Sequence, residues 1–84
     1  MEYFVKISFI SAYEKQFFSN MYIPEKVNKF DSTLSIRFIE NDTIIIRSTQ
    51  KTYIEGFHML WISESFKKKY GILDISNVYQ AENN

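Results

Sequence analysis

One histidine, His58, no cysteine, and a single close pair of carboxylates, Glu40 and Asp42, are the groups from which a reactive site would have to be built. General acid–base work needs such groups within hydrogen-bond reach of a substrate. Glu40-Asn41-Asp42-Thr43 reads instead as a solvated turn between two strands. His58 falls between two apolar stripes of a long helix, a setting that suits a rim or packing histidine better than a base. A zinc site with one histidine and no thiolate would need carboxylates in unusual number. Gly56 and Gly71 are isolated, so there is no Gly-rich loop to cradle a phosphate. The sequence therefore predicts a chain without catalytic residues, metal or cofactor, and not an enzyme.

The elements that position the remaining candidates follow from apolar spacing. Residues 2–11 alternate, with Tyr3, Val5, Ile7 and Phe9 on one face of a strand. Ser11-Ala12-Tyr13-Glu14 reads as a capping box. It opens a helix that carries Tyr13, Phe17 and Met21 on one stripe, leaves Phe18 and Tyr22 outside it, and ends before Pro24. Residues 25–31 form a loop. Leu34, Ile36 and Phe38 begin a second strand, and Ile44–Arg47 a third. A two-residue loop at Asn41-Asp42 would place Arg47 on the face of Ile36. A three-residue loop through Thr43 sets Ile44 and Ile46 with Phe38 and buries no charge, so it is preferred.

A second helix is expected over Thr52–Lys69, with a capping box at Thr52-x-x-Glu55, three lysines at its end and Gly71 as C-cap. Residues 72–84 read as a short C-terminal tail: Ile72–Tyr79 amphipathic, with Asp74 capping one helical turn, and Ala81–Asn84 frayed. The expected fold is a single α+β domain over residues 1–71, with topology β-α-β-β-α. A three-stranded antiparallel sheet in the order 1-3-2 carries two helices on one face.

Two surfaces of that fold are candidates for function. At about 100° per residue, Tyr53, Ile54, Phe57, Leu60 and Trp61 form one stripe of the long helix, and Met59, Ile62 and Phe66 a second, nearly opposite. A helix with two apolar sides is normally sandwiched, and 84 residues leave little to cover the second. Met59, Ile62 and Phe66, with Phe18 and Tyr22, are thus the expected protein interface. The second surface is the open face of the sheet, where the candidate RNA-proximal residues Lys6, Arg37 and Arg47 lie among Phe4, Ile10, Ile39 and Ile45. Phe4 alone is expected to offer a ring for stacking, which favours weak, salt-sensitive RNA binding at most.

Composition agrees with an interaction protein. Ten acidic and ten basic residues cancel, which argues against a surface wholly given to nucleic acid. Aromatics make up 18% of the chain, and isoleucine outnumbers leucine twelve to three, as in AT-rich genomes. The longest apolar run, Met59–Ile62, is far short of the ~20 residues of a membrane span. With no signal peptide evident at the start, a cytoplasmic location is expected.

The exit Tyr22-Ile23-Pro24-Glu25, the hairpin Leu34–Arg47 and the following helix with Leu60-Trp61-Ile62 together resemble the small Pcc-type dimerisation subunit of the KEOPS complex, related to the LAGE and CTAG proteins. The likeness spans residues 2–66. It implies a subunit of the assembly that makes threonylcarbamoyl-adenosine in tRNA, pairing with an ordinary Pcc-type subunit or with itself, with tRNA contact only indirect. The family's Arg-x-x-x-Asn-Ser motif would fall on Thr52, Gly56 and Phe57 and is absent, so the chain resembles a divergent paralogue. The alternative, from another class, is a small viral inhibitor of a host defence complex.

Overall fold

The computed structural model describes residues 1–80, and the expected fraying of Ala81–Asn84 lies outside them. Strand β1 (Tyr3–Phe9) buries Val5, Ile7 and Phe9 completely and turns Phe4, Lys6 and Ser8 the other way. Ser11 then caps α1 (Ala12–Phe17), its Oγ accepting from the Tyr13 N–H at 3.2 Å and donating to the Glu14 carboxylate. The serine caps as expected, but the glutamate closes on the serine side chain rather than on its backbone.

The first helix does not stop before Pro24. From Phe18 to Val27 it continues as a wider π-helix that contains the proline. Proline in an α-helix clashes with the carbonyl four residues back, and the wider turn accommodates the ring. The same change of pitch decides which side is buried. Phe18, Tyr22, Ile23 and Val27 recur every four to five residues and face the core, while Tyr13, Phe17 and Met21 are exposed. Both sets contain steps of four, so helical spacing alone does not choose between them.

The loop that follows is pinned from within. The buried Asp31 carboxylate accepts from the Thr33 N–H at 2.9 Å, from Thr33 Oγ1 and from Ser48 Oγ at the end of the third strand. Three donors converging on one buried acceptor are costly to orphan. Asp31→Ala should lower unfolding free energy by about 2–3 kcal/mol, and Asp31→Asn by less, as read by urea denaturation.

Strands β2 (Ser35–Glu40) and β3 (Thr43–Ser48) form the expected hairpin, with a compromise at its turn. Glu40 pairs with Thr43 across a two-residue loop, and a bulge at Ile39 then restores Phe38 opposite Ile44 and Ile36 opposite Ile46. No non-glycine described residue has positive φ. Asn41-Asp42 therefore does not form the hairpin turn whose twist matches the strands, and the bulge absorbs the mismatch. Ile44 and Ile46 thus share the face of Phe38, as preferred from sequence, but the three-residue loop does not form and the pairing is two residues away from the one it would set.

The long second helix is two helices. α2 (Lys51–Trp61) starts at Gln50 without a side-chain cap, so the Thr52–Glu55 box does not form. Ser63 then caps α3 (Glu64–Tyr70), accepting from the Phe66 N–H at 3.3 Å and donating to the Leu60 carbonyl at 2.9 Å. Gly71 ends α3 with φ of 68°, and its backbone lies so close to Glu14 that an added Cβ would meet that side chain at 2.6 Å.

The chain after Gly71 belongs to the sheet, not to a tail. β4 (Ile72–Ile75) and β5 (Tyr79–Gln80) both pair antiparallel with β1, and Asp74 stands opposite Ser8 rather than capping a helical turn. The sheet has five strands in place of three, with the order β2-β3-β1-β4 and β5 beside the start of β1. The expected neighbourhood of strands one, three and two survives inside it. Two interleaved βαβ units result, the split arrangement of ferredoxin-like folds. One core of β1, β3, the first helix, α2 and α3 fills the covered face.

Candidate functional site

The helical layer closes over a cluster of rings centred on Phe18. Its ring lies 4.7 Å from Tyr22, 5.3 Å from Phe9, 5.8 Å from Trp61, 6.0 Å from Tyr70 and 6.3 Å from Phe66. Trp61 Nε1 donates to the Tyr22 hydroxyl at 3.1 Å. Phe18 and Tyr22 are therefore core, and so is Phe66, only 8% exposed. The expectation that these three belong to an uncovered stripe is corrected. The break at Ile62-Ser63 restarts the helix and turns Phe66 inward, so it does not share a face with Met59. Met59 and Ile62 do remain outside, at 73% and 45% exposure. Phe57, in the middle of the first apolar stripe, is half-buried at the margin of the core, stacked on Trp61 at 5.7 Å.

Burial pushes the Tyr22 phenol above its ordinary value, opposed by the hydrogen bond from Trp61 and reinforced by Tyr70. A phenol raised on folding gives its full stabilisation below the unfolded pKa, about 10, and loses it as pH rises through the folded value. The stability advantage of the native chain over Tyr22→Phe should therefore shrink in alkali, a trend that urea titrations from about pH 9 to about pH 11 would detect. A constant difference across that range would refute the assignment.

His58 Nε2 donates to the Ser76 carbonyl at 2.8 Å and so ties α2 to the link between β4 and β5. Asp42 accepts from Thr43 Oγ1 at 3.0 Å within its own turn, and its carbonyl accepts from the Phe9 N–H at 2.8 Å. His58 shares an open surface depression with Glu55, Met59, Asn77 and Val78. Among the described residues, no group of three or more metal-ligating side chains comes together, and no helix is long and apolar enough to cross a membrane.

What the fold does assemble is two open surfaces. The first lies on α2, which buries Ile54 and Trp61 but exposes Tyr53, Met59, Leu60 and Ile62. Beside it runs a shallow apolar groove lined by Phe30, Thr52, Tyr53, Gly56, Phe57 and Leu60. Gly56 forms an open floor, since an added Cβ would meet nothing within 4 Å.

The second surface is the uncovered sheet face. Register places Tyr79, Phe4, Arg47 and Ser35 side by side across four strands, with Lys6, Ile45 and Arg37 in the next row. The Tyr79 and Phe4 rings stack at 5.6 Å with 23° between planes. Arg47 pairs with Glu2 and donates from Nε to Ser35 Oγ at 3.3 Å, whereas Lys6 and Arg37 are exposed. All three expected basic residues thus share this face. Tyr79 was missed, because its strand of two residues is too short to show alternation and its partner Phe4 lies far away in sequence.

Fold and surfaces together define an α+β chain with an open antiparallel sheet and a partly uncovered helical layer. Set beside known proteins, it matches no protein-family profile, no curated protein and no solved structure.

Proposed function

We propose that this chain is a non-catalytic accessory subunit that pairs with a Pcc-type subunit of the KEOPS tRNA-modification complex and limits that subunit's self-dimerisation. The observation that carries the reading is the exposure of Tyr53, Met59, Leu60 and Ile62 on one short helix. Tyr53 and Leu60 border the apolar groove while Met59 and Ile62 lie on the other side of the helix, so apolar surface is offered on two sides, as on a contact element rather than a solvated one. The order β1-α1-β2-β3-α2, with β3 between β1 and β2, is compatible with the resemblance noted in the sequence. The positions where that family carries its polar motif, Thr52, Gly56 and Phe57, here line the apolar groove. A partner therefore meets a greasy surface in place of a polar one, as expected of a divergent paralogue.

Purified chain mixed with an ordinary Pcc-type subunit should give a one-to-one complex by light scattering, at the expense of the partner's homodimer. A monomer left unchanged by that partner at micromolar concentration would sink the proposal.

A further inference from the structure

We infer that the uncovered sheet face binds single-stranded nucleic acid, through the Phe4–Tyr79 ring pair and the cations Lys6, Arg37 and Arg47. The sequence offered one ring on this face; β5 supplies a second, stacked on the first. Bases stack on such platforms whatever their identity, because every base has a π face. The rings do not stand alone. A groove across the same face is lined by Phe4, Tyr79, Ile45, Arg37 and Arg47, and Lys6 follows Phe4 on the outer side of β1. Residues two apart on a strand lie about 7 Å apart, so a base stacked on the rings would leave its backbone beside the Lys6–Arg37 row.

Charge on this face is sorted rather than neutral. Lys6, Arg37 and Arg47 occupy the first two rows, where only Glu2 opposes them through its pair with Arg47. Asp74 and Glu40 sit in the last row, opposite Ser8 and Thr43. The zero net charge of the chain thus conceals a local excess of two positive charges beside the rings. Charge complementarity there favours a phosphate backbone over an apolar protein surface. The acidic row confines the footprint to the ring-bearing half.

The test uses the full chain with fluorescein-labelled ten-nucleotide oligo-U and oligo-dT and a hairpin RNA duplex, followed by fluorescence anisotropy at several salt concentrations. Both single strands should bind at low salt, with a log–log salt slope of about −2 for three phosphate contacts, and the duplex should bind more weakly. Tyr79→Ala, an exposed change in a two-residue strand, should weaken binding about tenfold. Lys6→Glu with Arg37→Glu should remove it. Tighter binding of oligo-U than of oligo-dT assigns RNA, and the reverse assigns DNA. No binding at low salt, equal binding of the duplex, or affinity untouched by either variant would overturn the inference. So would loss of protein pairing in the Lys6/Arg37 variant without any nucleic-acid affinity in the native chain. Because Met59 and Ile62 are on a helix, changing them should leave oligonucleotide binding intact, which separates this test from that of the pairing proposal.

Discussion

Phe18→Ala should leave the chain largely unfolded at physiological temperature. Its ring meets five others within 6.3 Å and is fully buried. Truncating a buried phenylalanine costs about 3–5 kcal/mol, transfer and cavity terms together. A domain of this size has only about 4–12 kcal/mol in total. The loss corresponds to a fall in Tm of at least about 12 °C, readable by circular dichroism. Phe18→Leu, which keeps more of the volume, should be milder. Phe57→Ala should cost less than Phe18→Ala, because Phe57 is half-buried and touches only Phe30 and Trp61 among the rings. A near-native transition for Phe18→Ala would mean that the aromatic cluster is not the centre of the core.

The residues explain which parts of this fold were legible. Strand faces were, because period-two alternation in β1 and β3 separates Val5, Ile7, Ile44 and Ile46 from Lys6 and Arg47 without reference to anything distant. Gly71 was, because a left-handed residue after three lysines is a local requirement. The break between α2 and α3 was not. Apolar spacing runs through Ile62 to Phe66 as if the helix were continuous, while the one contrary signal, Ser63, is a residue that helices tolerate. The break there carries Phe66 into the core, whereas unbroken helical spacing would leave it at the surface. β4 and β5 were hidden for another reason: their partners on β1 lie about 65–75 residues earlier, and such pairing leaves no trace in a local window. The ring pair on the sheet was invisible for the same cause. Of the five expected interface residues, only Met59 and Ile62 stand exposed, and all three expected basic residues share one face.

Met59→Glu with Ile62→Glu should abolish pairing with a Pcc-type subunit while leaving the isolated chain folded. Neither side chain belongs to the core, and both are well exposed. Exposed substitutions usually shift stability by no more than about 0.5 kcal/mol, so the thermal transition should barely move. Association should respond far more. Apolar groups at the centre of an interface cost about 2 kcal/mol or more when lost, roughly thirtyfold in Kd, and a buried carboxylate adds a desolvation penalty. Phe66→Glu is the informative contrast. That side chain packs edge-on to Phe18 at 6.3 Å and tilted on Tyr70 at 4.5 Å, so a charge there should unfold the monomer before any partner is met. Light scattering on the mixtures and melting curves on the isolated variants separate the two cases. Undiminished pairing by the Met59/Ile62 variant would move the contact off this end of α2, leaving the groove floored by Gly56 as the next surface to test. A melted Met59/Ile62 variant would instead show that these exposed side chains support the helix itself, and the argument from uncovered apolar surface would fall.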